Sequence, residues 1–98
     1  MTQPTKSLTI ALDFDDTYTA DQQLWDEFAR LATSRNHRVI VVTARRNTVE
    51  NRDVVRTTDG LPVFFTGLKA KRWYLETTWN IRPDIWIDDQ PDVIVNGI

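Results

Sequence analysis

Cysteine is absent from the 98 residues. That excludes disulfides, thiolate metal sites and cysteine nucleophiles, and it fits a reducing compartment. Positive charge is not in excess either. Twelve Lys and Arg against 14 Asp and Glu leave a formal charge of −2, which is no footprint for sequence-independent binding to a duplex. A nucleic-acid end as substrate stays open. Residues Met1 to Ser7 lack the apolar core of a secretory signal, and no apolar run approaches membrane-spanning length. The expected location is the cytoplasm, with no membrane partner. Linkers, repeats and low-complexity segments are missing too. What is present is 41% apolar residues with four Trp and four Phe, enough for the core of one small domain.

Residues 1–6 read as a disordered lead and residues 7–98 as a single domain. The first strand, 7–12, is apolar on both faces apart from Thr9, as a central parallel strand is. It runs straight into Asp13-Phe14-Asp15-Asp16-Thr17, three carboxylates within four residues. Burying ionised carboxylates is strongly unfavourable unless a cation or several donors compensate them. The chemical reading is therefore a hard cation, normally Mg²⁺, held by oxygen ligands. The plain alternative is a solvated turn in which Asp16 and Thr17 cap local backbone.

Asp21 is a good N-cap, and Leu24, Trp25, Phe28, Leu31 and Ala32 recur at helical spacing to about Ser34. Val39 to Val42 is a second apolar strand, closing on Thr43-Ala44-Arg45-Arg46. Asn47 and Glu50 resemble a capping box for a helix from about Thr48 to Thr57, which Asp59-Gly60 ends. Pro62 to Phe65 is a short strand broken by Thr66-Gly67. The spacing then predicts a helix from about Leu68 to Thr78 that buries Ala70, Trp73, Tyr74 and Thr77. Ile85-Trp86-Ile87 is a last buried strand stopping on Asp88-Asp89, and Pro91 suits the start of a terminal helix. Strand and helix alternate throughout, which predicts an α/β domain with a mainly parallel sheet between helical layers.

In such sheets the site lies beyond the carboxyl ends of the strands. Asp13 to Thr17, Thr43 to Arg46, and Asp88-Asp89 all fall at that edge. The third helix starts there as well, bringing Lys69 or Lys71. Lys69, nearer the expected helix start, is favoured, with Lys71 the competitor. Acids, a hydroxyl and a lysine together suit a phosphate and a divalent cation. His37, the sole histidine, falls in a turn at the opposite end of the sheet and is assigned no chemistry. Tyr18 stands beside the acidic loop and is a candidate substrate contact. The four Trp are read mainly as core, Trp25 being the one that could lie over the site.

With these residues in this order, the chain resembles the haloacid dehalogenase-like superfamily. Ile10 to Thr17 looks like its first motif, Asp-x-Asp-x-Thr; Val41-Val42-Thr43 the second; Lys69 the third; Ile87-Asp88-Asp89 the fourth. Thr43-Ala44-Arg45, Lys69-Ala70 and Ile87 to Pro91 also look like the deoxyribonucleotidase and polynucleotide-phosphatase branches. The resemblance implies a three-layer, Rossmann-like core and a Mg²⁺-dependent phosphatase. It makes Asp13 the nucleophile, forming an aspartyl-phosphate, and Asp15 the proton shuttle. It has Thr43 hydrogen-bond a phosphate oxygen and Lys69 offset the charge of nucleophile and phosphate together; Thr17 and Arg45 are candidate substrate contacts, the plain alternative for Arg45 being a surface charge. Asp13, the Asp15 carbonyl, Asp88 and Asp89 would hold the metal.

Neither interval between motifs has room for the cap domain most such phosphatases carry. An open site implies an accessible phosphomonoester as substrate: a nucleotide, a nucleic-acid end or a phosphoprotein. It also implies a homo-oligomer as the alternative means of covering the site. Two other classes compete. A receiver module needs its phosphoacceptor Asp at the end of a middle strand, where this chain has Thr43. A Mg²⁺- and phosphate-binding module without turnover, regulatory or adaptor in role, would have no need of Asp15.

Overall fold

A computed structural model describes residues 2–98. Four strands form one all-parallel sheet: β1 (Thr9–Leu12), β2 (Arg38–Thr43), β3 (Val63–Phe65) and β4 (Ile85–Ile87). Their spatial order is β3-β2-β1-β4. The chain therefore steps from β1 outward to β2 and β3, then returns to the other side of β1. A reversal of this kind opens a crevice at the carboxyl end of the strand where it occurs, and that strand is β1.

Alternation along the strands separates two cores. Ile10, Leu12, Val39 and Val41 face one layer, closed by Ala29 and Ala32 of α1 (Gln22–Ser34) and Val54 of α2 (Arg52–Thr57). Ala11, Ile40 and Val42 face the other, closed by Leu75 and by half-buried Tyr74 of α3 (Lys71–Tyr74). A π-type turn, Leu75–Trp79, continues α3, and α4 (Asp92–Val95) packs beside it through buried Ile94. Helical segments thus cover both faces of a parallel sheet, as its hydrogen-bonded apolar strands require. No helix among the described residues is long and apolar enough to cross a membrane.

Several sequence expectations shift. Asp21 does cap α1, its side chain accepting from the Leu24 N–H. Yet Leu24 and Leu31 are exposed while Ala29 and Ala32 are buried, so the inward stripe is rotated from the one the large apolar residues suggest. The expected second helix is a 3₁₀ turn, Val49–Asn51, followed by α2. Its cap position is Thr48, not Asn47, and the Thr48 side chain makes no capping bond. The third helix starts at Lys71, not Leu68, because Gly67 and Leu68 both have positive φ (61° and 71°). That later start turns Lys71 and Leu75 inward and leaves Trp73 and Thr77 exposed. Trp79 is exposed too, edge-on to Phe64. Residues 2–6 touch the domain: the Thr2 carbonyl accepts from Arg35 and Lys6 pairs with Asp84.

Candidate active site

Register places the two acidic strand ends side by side. Leu12 is paired with Ile87, so Asp13 and Asp88 follow from neighbouring strands, and the Asp13 N–H donates to the Ile87 carbonyl at 2.9 Å. After Asp13 the chain makes a wide π-type turn, Phe14–Tyr18. Asp16 sits at its crest with φ 62°, a left-handed conformation that Asp tolerates better than most residues. Its N–H donates to Thr19 Oγ1, so Asp16 shapes the loop.

The floor of the crevice is dry. Asp13 is 8% exposed and Lys71 1%. Lys71 Nζ donates to Asp13 Oδ1 at 2.8 Å and to Asp88 Oδ2 at 2.6 Å. Asp13 continues the parity of Ala11, so its side chain falls on the face that α3 covers. Lys71 lies one turn before Leu75, on the same inward stripe. Lys71, not Lys69, is therefore the lysine of the site. Lys69 is exposed in the preceding turn, where its N–H donates to the Thr66 carbonyl and its carbonyl accepts from Thr66 Oγ1. The helix starts three residues later than expected, at Lys71, and that lysine faces the acids.

Burial pushes the Asp13 carboxyl up to about 6, against the opposing pull of Lys71, and nearby Asp89 and Asp88 add to the rise. Oxygen atoms of Asp13, Asp88 and Asp89 lie within 4.8 Å of one another. Three carboxylates thus face one ammonium, leaving two negative charges uncompensated. An all-oxygen donor set with that deficit fits a hard divalent cation. Thr17, expected to contact substrate, is instead turned onto these acids. Its hydroxyl lies 3.0 Å from Asp13 Oδ2 and 3.2 Å from Asp89 Oδ1, and it accepts from the Asp89 N–H.

The rim is wetter. Arg45 closes both ends of its fork on Asp15, Nη2 to Oδ1 at 2.6 Å and Nε to Oδ2 at 3.0 Å. These hydrogen bonds, outweighing partial desolvation, hold the guanidinium charged. Thr43 is buried, and its Oγ1 accepts from the Arg45 N–H at 3.3 Å. Asp13, Asp15, Asp16, Lys71, Asp88 and Asp89 line a cavity of about 200 Å³, with Ala44 standing in its wall at the end of β2.

Of the other candidates, Tyr18 and His37 fall away from this pocket, while Trp25 lies beside it. Tyr18 is fully buried, and its hydroxyl donates toward Asp26 and the Thr57 carbonyl. Burial and Asp26 hold the phenol in its neutral form. His37 Nδ1 accepts from the Leu8 N–H at the opposite sheet end. Trp25 packs edge-on to Phe28 and lines a hollow of about 370 Å³ beside Asp88 and Asp89. A larger hollow, about 500 Å³ between α1 and the loop after α2, is flanked by Asp26 and Arg30 and gathers no comparable cluster. Comparison with protein-family models, curated proteins and solved structures returned no match.

Proposed function

We propose that the protein is a Mg²⁺-dependent phosphohydrolase of the haloacid dehalogenase type, with a Rossmann-like core and no cap. The observation that carries this is the buried Asp13–Lys71–Asp88 chain with Asp89 beside it, at the switch point of a parallel sheet. A carboxyl that titrates near 6 is mostly ionised at neutral pH, so Asp13 is available as a nucleophile.

Asp13, Asp88 and Asp89 would hold the cation, with the Asp15 carbonyl as a further ligand. When bound, the cation lets an anionic nucleophile approach an anionic phosphate. Asp13 forms an O–P bond as the bond from phosphorus to the leaving oxygen breaks, and Asp15 delivers a proton to that oxygen. Water then attacks the phosphorus of the aspartyl-phosphate, giving up a proton to Asp15, and Asp13 leaves as a carboxylate. Lys71, in the role expected of Lys69, offsets charge on Asp13 throughout. Thr43, at the end of β2, would hydrogen-bond a phosphate oxygen, as the resemblance implies. The substrate is an accessible phosphomonoester: a nucleotide, a nucleic-acid end or a phosphoprotein. A second copy of the chain over the open mouth is the alternative cover.

The test is hydrolysis of p-nitrophenyl phosphate with Mg²⁺ and with EDTA, in wild type and Asp13→Asn. Mg²⁺-dependent turnover abolished in the variant supports the reading. A second reading is a Mg²⁺- and phosphate-binding module without turnover. It holds if the Arg45 fork, closed on both Asp15 oxygens, keeps that carboxylate from taking up the proton it would have to deliver, in place of aiming it. Mg²⁺ binding by calorimetry with no turnover across a panel of nucleotides and end-phosphorylated oligonucleotides would select it.

A further inference from the structure

Arg45 looks at first like a cation waiting for a phosphate. Four of its five N–H groups are already committed. Besides the two bonds to Asp15, Nη1 lies 3.2 Å from Asn51 Oδ1 and 3.2 Å from Asp53 Oδ1, at the start of α2. The guanidinium carbon sits 5.2 Å from the centre of the Phe14 ring. Phe14 is itself buried and stacked on Tyr18, whose hydroxyl is tied to Asp26 and Thr57. The guanidinium is thus fixed from α2 on one side and from an immobile ring on another, and its fork faces Asp15. Asp15 has no comparable support of its own. Its side chain is 49% exposed, and a half-exposed aspartate without such a clamp samples several rotamers.

We infer that Arg45 is a positioning residue: it acts on the reaction through Asp15, by aiming that carboxyl at the leaving oxygen, and does not bind the transferred phosphoryl group. This rests on the phosphohydrolase reading above. Proton delivery depends on placement within hydrogen-bond reach of the departing oxygen, and a bidentate fork anchored at its far end supplies that placement. Lysine cannot replace it, since a single ammonium does not form the fork.

The experiment exploits leaving-group chemistry. A dinitrophenolate departs without a proton, whereas an alkoxide needs one. kcat/KM is measured in Mg²⁺ for an alkyl phosphate and for 2,4-dinitrophenyl phosphate, with inorganic phosphate as competitive inhibitor. The proteins are wild type, R45M, R45K, D15N and the D15N/R45M double variant, each checked for folding by circular dichroism. R45M is expected to lose about 10- to 100-fold on the alkyl ester and less than about 3-fold on the dinitrophenyl ester, with phosphate inhibition unchanged. R45K recovers little, and the double variant is no worse than D15N, as for two residues acting as one unit. If R45M does not fold, R45K carries the same comparison. Equal losses on both esters, weaker phosphate inhibition and multiplication with D15N would place Arg45 on the phosphoryl group and overturn the inference alone. Unchanged turnover with a lower melting temperature would reduce Arg45 to a structural tie. A wild type that hydrolyses neither ester overturns the phosphohydrolase reading itself.

Discussion

Two ion-pair systems lie within one pocket and are built on opposite principles. On the floor, Lys71 joins Asp13 and Asp88 with side chains 2–9% exposed. On the rim, Arg45 joins Asp15 and Asp53 with side chains 29–53% exposed. The floor has little water to fall back on, so removing one partner strands a buried charge. The rim has solvent at hand, so its pairs contribute geometry more than energy. On the proposed phosphohydrolase reading both have a use: a dry centre where a cation would act strongly, and a wet edge where a proton could come and go.

The largest expected effect is on the floor. Lys71→Met leaves Asp13 and Asp88 uncompensated and is expected to lower stability by about 3–5 kcal/mol in urea denaturation. A loss below about 1 kcal/mol would mean the floor behaves like the rim.

The next effect depends on pH. Asp13 titrates near 6 when folded and near 3.8 when exposed, so between those values the folded state holds a proton that the unfolded state has lost. Its contribution to stability therefore falls as pH rises through that window, by on the order of 3 kcal/mol. In EDTA, wild-type stability minus that of Asp13→Asn should drop between pH 4 and 7. A rise instead would mean that Lys71 outweighs burial.

Mg²⁺ should reverse that loss. At a hundred times its dissociation constant a ligand specific for the folded state adds about 2.7 kcal/mol. The melting temperature is expected to rise with Mg²⁺, fall back with EDTA, and stop responding in Asp88→Ala.

Smallest of all are the rim and the rejected lysine. Asp53→Ala should lower stability by less than about 1 kcal/mol, and Lys69→Ala by less than about 0.5 kcal/mol with turnover unaffected. A larger effect at Lys69 than at Lys71 would invert the assignment of the site lysine.

Much of this was legible without coordinates. The apolar runs at Ile10 to Leu12 and Val39 to Val42 are strands because no other element buries both faces of so short a segment; Ile85 to Ile87, expected to be buried as well, is an edge strand with Ile85 exposed. Acids immediately after two of them necessarily meet when those strands are neighbours. The helix faces were less legible. α1 presents Ala29 and Ala32 to the sheet while Leu24 and Leu31 face outward, since small residues let a helix approach a sheet closely, and hydropathy alone ranks them the other way.

The acidic cluster itself, the strand-and-helix alternation and the all-oxygen character of the candidate site belong to the sequence by itself, because they depend on residue type and local spacing. Which lysine enters the site, and what Arg45 touches, were decided only in three dimensions. Lys71 displaced Lys69 because two residues of positive φ delayed a helix. Arg45 turned to Asp15 because Asn51, Asp53 and Phe14 fix it there. The contacts that result, Lys71 to Asp13 and Arg45 to Asp15, join residues 58 and 30 positions apart, and local pattern carries no record of those.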